Sequence, residues 1–242
     1  MQRPSDLAAR HIARGLTVLV VLLGIGFVAS VAWAVVGRAT GGSSPVAPKA
    51  GQKYTDAEGF VHSGAVGTGE YRTTSLHIAP RHGSTRHTYT VRVENGTGID
   101  VDKAAREIQV ILDDPRGWAG TKGPKTRGAA FELVPSSKNP EMTITIATPP
   151  TVDATCPLDT VGLWSCDDGK HVLLNSDRWH FRTPIYDDTA DYRAYMVNHE
   201  VGHFLGLDHS PCAGAGRLAP VMMQQSKGLQ GCRANAWPTR TA

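Results

Sequence analysis

The run at 16–36, LTVLVVLLGIGFVASVAWAVV, is almost wholly apolar. A helix of about 20 such residues crosses a hydrocarbon core about 30 Å thick, so a transmembrane span is expected over 16–36, behind a short segment at 1–15. The pattern then changes. ATGGSSPVAPKAGQ has little to bury and predicts a flexible spacer over 37–53. What remains, 54–242, has the length of one domain and shows no internal repeat. Its start is Gly-rich, with short candidate strands near 69–73 and 76–78, and reads either as a decoration of the domain or as a segment laid across its cleft. From His87 the periodicity is plainer. Residues 88–94 alternate and stop at Asn95-Gly96, a strand and a turn. Asp100 or Asp102 then caps a helix with apolar positions at Ala105, Ile108 and Leu112, ending before Pro115. Strands are expected at 131–134, 142–147 and 171–175. A long helix follows over about 189–205, capped by Asp187 or Asp188, with Tyr192, Tyr195 or Met196, His199 and His203 on its inward stripe. Strand, helix, strands and helix give an α+β domain.

Charge orients the chain and excludes one class of partner. Arg3, Arg10 and Arg14 precede the apolar run and Arg38 follows it. The basic lead keeps the N-terminus in the cytoplasm and places 54–242 outside. Ala32-Trp33-Ala34 offers an alternative, a signal-peptidase site that would release the domain. The formal net charge is +3, and no dense basic run with interleaved aromatics is present, which argues against nucleic acid. The four cysteines, Cys156, Cys166, Cys212 and Cys232, all lie in the outer part. An even count in an exported domain implies disulfides. Of the three formal pairings, the local bridges Cys156–Cys166 and Cys212–Cys232 are expected. Thiolate zinc binding competes, but no Cys-x-x-Cys pair supports it.

The chemistry is concentrated in HEVGHFLGLDH, residues 199–209. Histidines four apart on a helix share a face, so His199 and His203 can reach one metal ion. Gly206 allows the chain to leave the helix through a left-handed conformation and return His209 as a third nitrogen ligand. Three nitrogens leave one tetrahedral position of a zinc ion open for water, and Glu200 stands beside it as a base. These five fixed positions would coincide by chance in such a chain on the order of once in 10⁵ sequences, which favours a metal site over a charged helix face.

The run resembles the HExxHxxGxxH signature of the metzincin metallopeptidases, in which a turn carrying a methionine follows. Ala219-Pro220-Val221-Met222-Met223-Gln224-Gln225 stands where that Met-turn is expected, with Met222 favoured and Met223 the alternative. Glutamines follow the methionines, so a tyrosine found there in some relatives has no counterpart. Cys212, the APVMMQQSKGLQGC stretch and Asn235-Ala236-Trp237-Pro238 further resemble an actinobacterial, membrane-anchored, metzincin-like family known only as a domain of unknown function.

The resemblance implies a zincin domain: a twisted mixed sheet over two helices, then a short irregular C-terminal part held by disulfides. The second bridge would enclose the Met-turn. It further implies a peptidase with one catalytic Zn²⁺ on His199, His203 and His209, and Glu200 as the catalytic base. The expected substrate is a peptide or protein, including cell-wall peptide cross-links. A catalytically silent zinc-containing binding module is the rival. No cysteine precedes Cys156 to cap the zinc. Asp167-Asp168 and Asp187-Asp188 are weaker candidates for calcium, since adjacent acids at turns and helix starts ordinarily serve as caps. His62, His77, His82, His87, His171 and His180 lack ligand spacing, and Trp118, Trp164 and Trp179 are expected as loop anchors.

Overall fold

The computed structural model describes residues 51–156 and 160–240; the expected span at 16–36 lies outside them. Among the described residues no helix is long and apolar enough to cross a membrane.

The domain is built on a mixed sheet. Its strands are β3 (Tyr71–Thr73), β4 (Thr85–Glu94), β5 (Ala129–Leu133), β6 (Met142–Ala147), β7 (Cys166–Asp167) and β8 (His171–Asn175). They run in the order β3-β4-β6-β8-β7, and β5 also pairs with β4. The centre is parallel: Val91 pairs with Ile144, and Ile144 with Val172. β3 and β7 are antiparallel to their neighbours. A separate two-stranded ribbon, β1 (Tyr54–Thr55) and β2 (Val61–His62), precedes the sheet.

Strand alternation decides which face carries the core. Tyr89, Val91 and Val93 of β4, Ile144 and Ile146 of β6, and Val172 and Leu174 of β8 are fully buried and point to one side of the sheet, as the period of two requires. Two helices cover that side. In α1 (Val101–Leu112) Ala105, Ile108 and Leu112 face the strands; in α4 (Thr189–Phe204) Val197 and Val201 do so. Burying such aliphatic side chains contributes roughly 1.5–3 kcal/mol each. The opposite face has a smaller cluster, where α2 (Pro149–Thr155) places Val152 against Leu173 beside Cys156. Asp100 caps α1 by accepting the Lys103 N–H at 2.9 Å, and Asp188 caps α4 by accepting that of Asp191 at 2.9 Å.

Several expectations are corrected. The residues near 76–78 form no strand; only Ile78 bridges, to Leu133. β4 begins at Thr85, three residues before the alternation starts. Trp179 is a helical residue of α3 (Ser176–Phe181), not a loop anchor. The 51–65 segment is not laid across the cleft described below. It is tied to α3: the buried Arg178 guanidinium donates to the Val61 carbonyl and lies over the Phe60 ring, and Asp177 accepts from Ser63. Cys156–Cys166 and Cys212–Cys232 are both disulfides, as expected.

Candidate metal centre

α4 delivers His199 and His203 from successive turns of one face. The helix stops where the sequence places a glycine. Gly206 has φ +80°, a conformation that a Cβ resists. The Leu207 N–H returns to the Gly202 carbonyl at 3.0 Å and the Gly206 N–H to that of His203 at 2.7 Å, the pair of bonds of a Schellman ending. The reversed chain brings His209 back against the helix.

The ring nitrogens are assigned by their partners. His199 Nδ1 lies 2.8 Å from the Val221 carbonyl, and His203 Nδ1 lies 2.8 Å from that of Leu207. A carbonyl only accepts, so both Nδ1 atoms carry the proton and both Nε2 atoms present lone pairs. Ring centroids are 5.0 Å apart for His199–His203, 5.2 Å for His199–His209 and 4.7 Å for His203–His209. His203 Nε2 and His209 Nε2 are 3.2 Å apart. Two nitrogens at about 2.0–2.1 Å from a tetrahedral zinc would lie roughly 3.3 Å from each other. One ligand atom from each of the three rings falls within 4.8 Å of the others, and among the described residues this is the one group of three or more His, Cys, Asp or Glu so placed. The donor set therefore suits a metal that accepts imidazoles.

Burial tunes the centre. His199 is 6 % exposed; loss of water holds its pKa down to about 3, with the neighbouring His203 and His209 adding to the effect. His209 is lowered for the same leading reason. All this favours neutral imidazole, the form that binds metal. Glu200 is 7 % exposed. Burial raises its pKa to about 8, with a further push from the charge of Asp167.

The two methionines pack differently. A Cβ on Gly202 would fall 2.2 Å from Met222 Sδ and 2.9 Å from Trp118. Met222 thus lies directly against the helix between the two histidines, while Met223 packs away from it with Ala219 and Cys232. The 219–225 turn is held by a buried hydrogen-bond network. Tyr195 donates to the Met223 carbonyl at 2.9 Å and accepts the Gln225 N–H at 2.9 Å. The fully buried Gln225 amide donates to Pro220 and Asn235 carbonyls and accepts from Tyr186 and from the Asn235 N–H. Cys212–Cys232 encloses the turn. The one advance signal was Gly202 itself: a glycine inside a helix costs about 1 kcal/mol relative to alanine and calls for a close approach.

A cleft of 490 Å³ opens over the histidines. Tyr192, Tyr195 and Met196 form one wall, β7 with Asp167 another, and Trp164, Ser226 and Lys227 close it. Asp167 and Asp168 are engaged locally: Asp167 Oδ1 accepts from Gly169, and Asp168 accepts from Lys170 and His171. Asp167 Oδ2 is buried without a partner, and its carboxyl is raised chiefly by burial. The six histidines without ligand spacing stand elsewhere, five beside carboxylates (His62–Asp56, His77–Glu132, His82–Asp113, His87–Glu141, His171–Asp168) and His180 against the Thr97 carbonyl.

An α+β domain with a three-histidine cluster beside a buried glutamate is the class defined so far. The chain belongs to the family described as "Protein of unknown function (DUF3152)", whose model matches residues 59–236. No curated protein and no solved structure matches it.

Proposed function

We propose that the protein is a metzincin-like zinc peptidase whose catalytic domain acts outside the membrane, tethered by the apolar run at 16–36. The observation that carries this reading is the convergence of three imidazoles, two with Nε2 presented by backbone-fixed tautomers, beside the buried Glu200.

His199, His203 and His209 would hold the ion. When bound, zinc would supply Lewis acidity toward a water and a peptide carbonyl. The rest falls to the chain. Glu200, kept dry next to His199, accepts the proton of the attacking water and returns it to the leaving amine. A carboxyl whose pKa lies near neutrality does both. The Val221 and Leu207 carbonyls hold two ligand rings in place. Among the described residues β7 pairs with β8 alone, so its other edge would align an extended peptide through main-chain hydrogen bonds. Because Asp167 of this strand lines the cleft, such a peptide would pass over the histidines.

The test is metal content and cleavage by the full chain in detergent, offered a peptide library, unstructured proteins and cell-wall peptides. One zinc per chain with cleavage, and zinc retained but cleavage lost in Glu200→Ala, is the expected result. Zinc with no cleavage of any substrate would turn the assignment to a binding module; no zinc would remove it.

A further inference from the structure

We propose that Lys227 is the specificity residue of the cleft and holds a carboxylate of the substrate beside the scissile bond. This rests on the peptidase reading above.

Lys227 ends the short 3-10 turn Gln225–Lys227 that follows the methionine turn. Apart from histidine it is the one basic side chain among the residues lining the cleft. Its Nζ lies 5.9 Å from the centroid of the Trp164 ring, over its face. Among the described residues no carboxylate forms an ion pair with it or with any other lysine, whereas arginines are matched, as Arg193 is with Glu107. Its charge still reaches the centre, where it bears on both His199 and His209.

The acids of the cleft do not compensate it. Glu200 is buried, Asp167 lines the cleft with Oδ1 accepting from Gly169 and its charge bearing on Glu200 and His203, and Asp168 is bound to His171. Asp208 is exposed and bears on His209. Between Lys227 and the histidines the wall is Tyr192, Tyr195 and Met196, with the Ser226 hydroxyl already engaged by Tyr192 at 3.1 Å. A side chain entering the cleft would find these aromatic and apolar side chains together with one ammonium. Glutamate offers the complement: methylenes capped by a carboxylate. A peptide's terminal carboxylate offers the same chemistry. Lys227 is exposed, and a charge-assisted contact to its ammonium is stronger than a neutral hydrogen bond.

The test uses the full-length zinc form and peptides of one neutral sequence, with Glu, Gln or Lys placed in turn at each position around the cleaved bond. A second pair ends in a free carboxylate or an amide just past that bond. At one position kcat/KM should favour Glu over Gln by on the order of tenfold. Lys227→Ala should bring that ratio near one, and Lys227→Glu should turn the preference toward Lys. A preference confined to the free-carboxylate peptide assigns Lys227 to the chain end instead of a side chain. A wild type indifferent to Glu and Gln and to carboxylate and amide, or a ratio unchanged in Lys227→Ala, overturns the proposal. If no peptide is cleaved, the peptidase reading fails separately. Calorimetric binding of the same peptides then decides: tighter binding of the Glu peptide that Lys227→Ala abolishes supports the contact, and equal binding removes it.

Discussion

Met222 Sδ occupies the space that a side chain at Gly202 would need, 2.2 Å from the position of its Cβ. The methionine therefore supports the ligand helix by direct contact between its two histidines. Gly202→Ala removes a helix-interior glycine, worth about 1 kcal/mol in its favour, but overpacks a site that cannot yield without moving Met222 or Trp118, at about 1–3 kcal/mol. The clash should win. Denaturant unfolding of the metal-free protein should show a net loss, and Met222→Ala in the same chain should recover part of it. Additive losses in the double variant would show that the two residues are not coupled.

Of the three proposed ligands, His209 is the one supplied by the turn and not by the helix. His209→Ala should leave the fold intact, because its ring is exposed while His199 keeps its bond to Val221. Zinc affinity, measured by competition with a chelator, should fall by more than the roughly 10–100-fold that loss of an outer-sphere partner causes. His82→Ala, remote from the cluster, should leave affinity unchanged.

The pH dependence of the metal-free protein follows from two opposed groups. Glu200 is raised from 4.5 to about 8, so its contribution to stability is present below pH 4.5 and lost as pH rises toward 8. His199 is lowered from 6.5 to about 3, so its contribution is present above 6.5 and lost as pH falls toward 3. Glu200→Gln should therefore be more stable relative to wild type at pH 8 than at pH 5, by thermal melts in chelator. A difference that does not change with pH would show that Glu200 titrates normally.

Cys212–Cys232 closes a loop of 20 residues in sequence separation around the carbonyl that orients His199. Replacing both cysteines by serine should cost about 2–4 kcal/mol and weaken zinc binding as well. The same change at Cys156 and Cys166 should lower stability with a smaller effect on zinc. Equal effects on zinc would separate the bridge from the site.

Much of this was legible in the chain. The spacing of His199, His203, Gly206 and His209 encodes ligand placement locally, through helix periodicity and one left-handed turn. The strands at 142–147 and 171–175 were readable because they combine alternation with β-branched residues. What escaped depends on distant partners. β7 is two residues long and exists only through β8. α2 begins with Pro149-Pro150, which looks like a loop, although proline is well suited to the first turn of a helix. The network of Tyr186, Tyr195, Gln225 and Asn235 joins segments up to 49 positions apart in sequence, from 186 to 235, and no local pattern announces it.

The direction of α4 has an electrostatic result. Its peptide dipoles add toward the C-terminal end, which carries roughly half a negative charge, and that end is where the histidines stand. Backbone polarity there welcomes a cation and opposes an anion before any side chain is counted. Run the other way, the same helix would aim its positive pole at the proposed ion, and identical imidazoles would grip it less well.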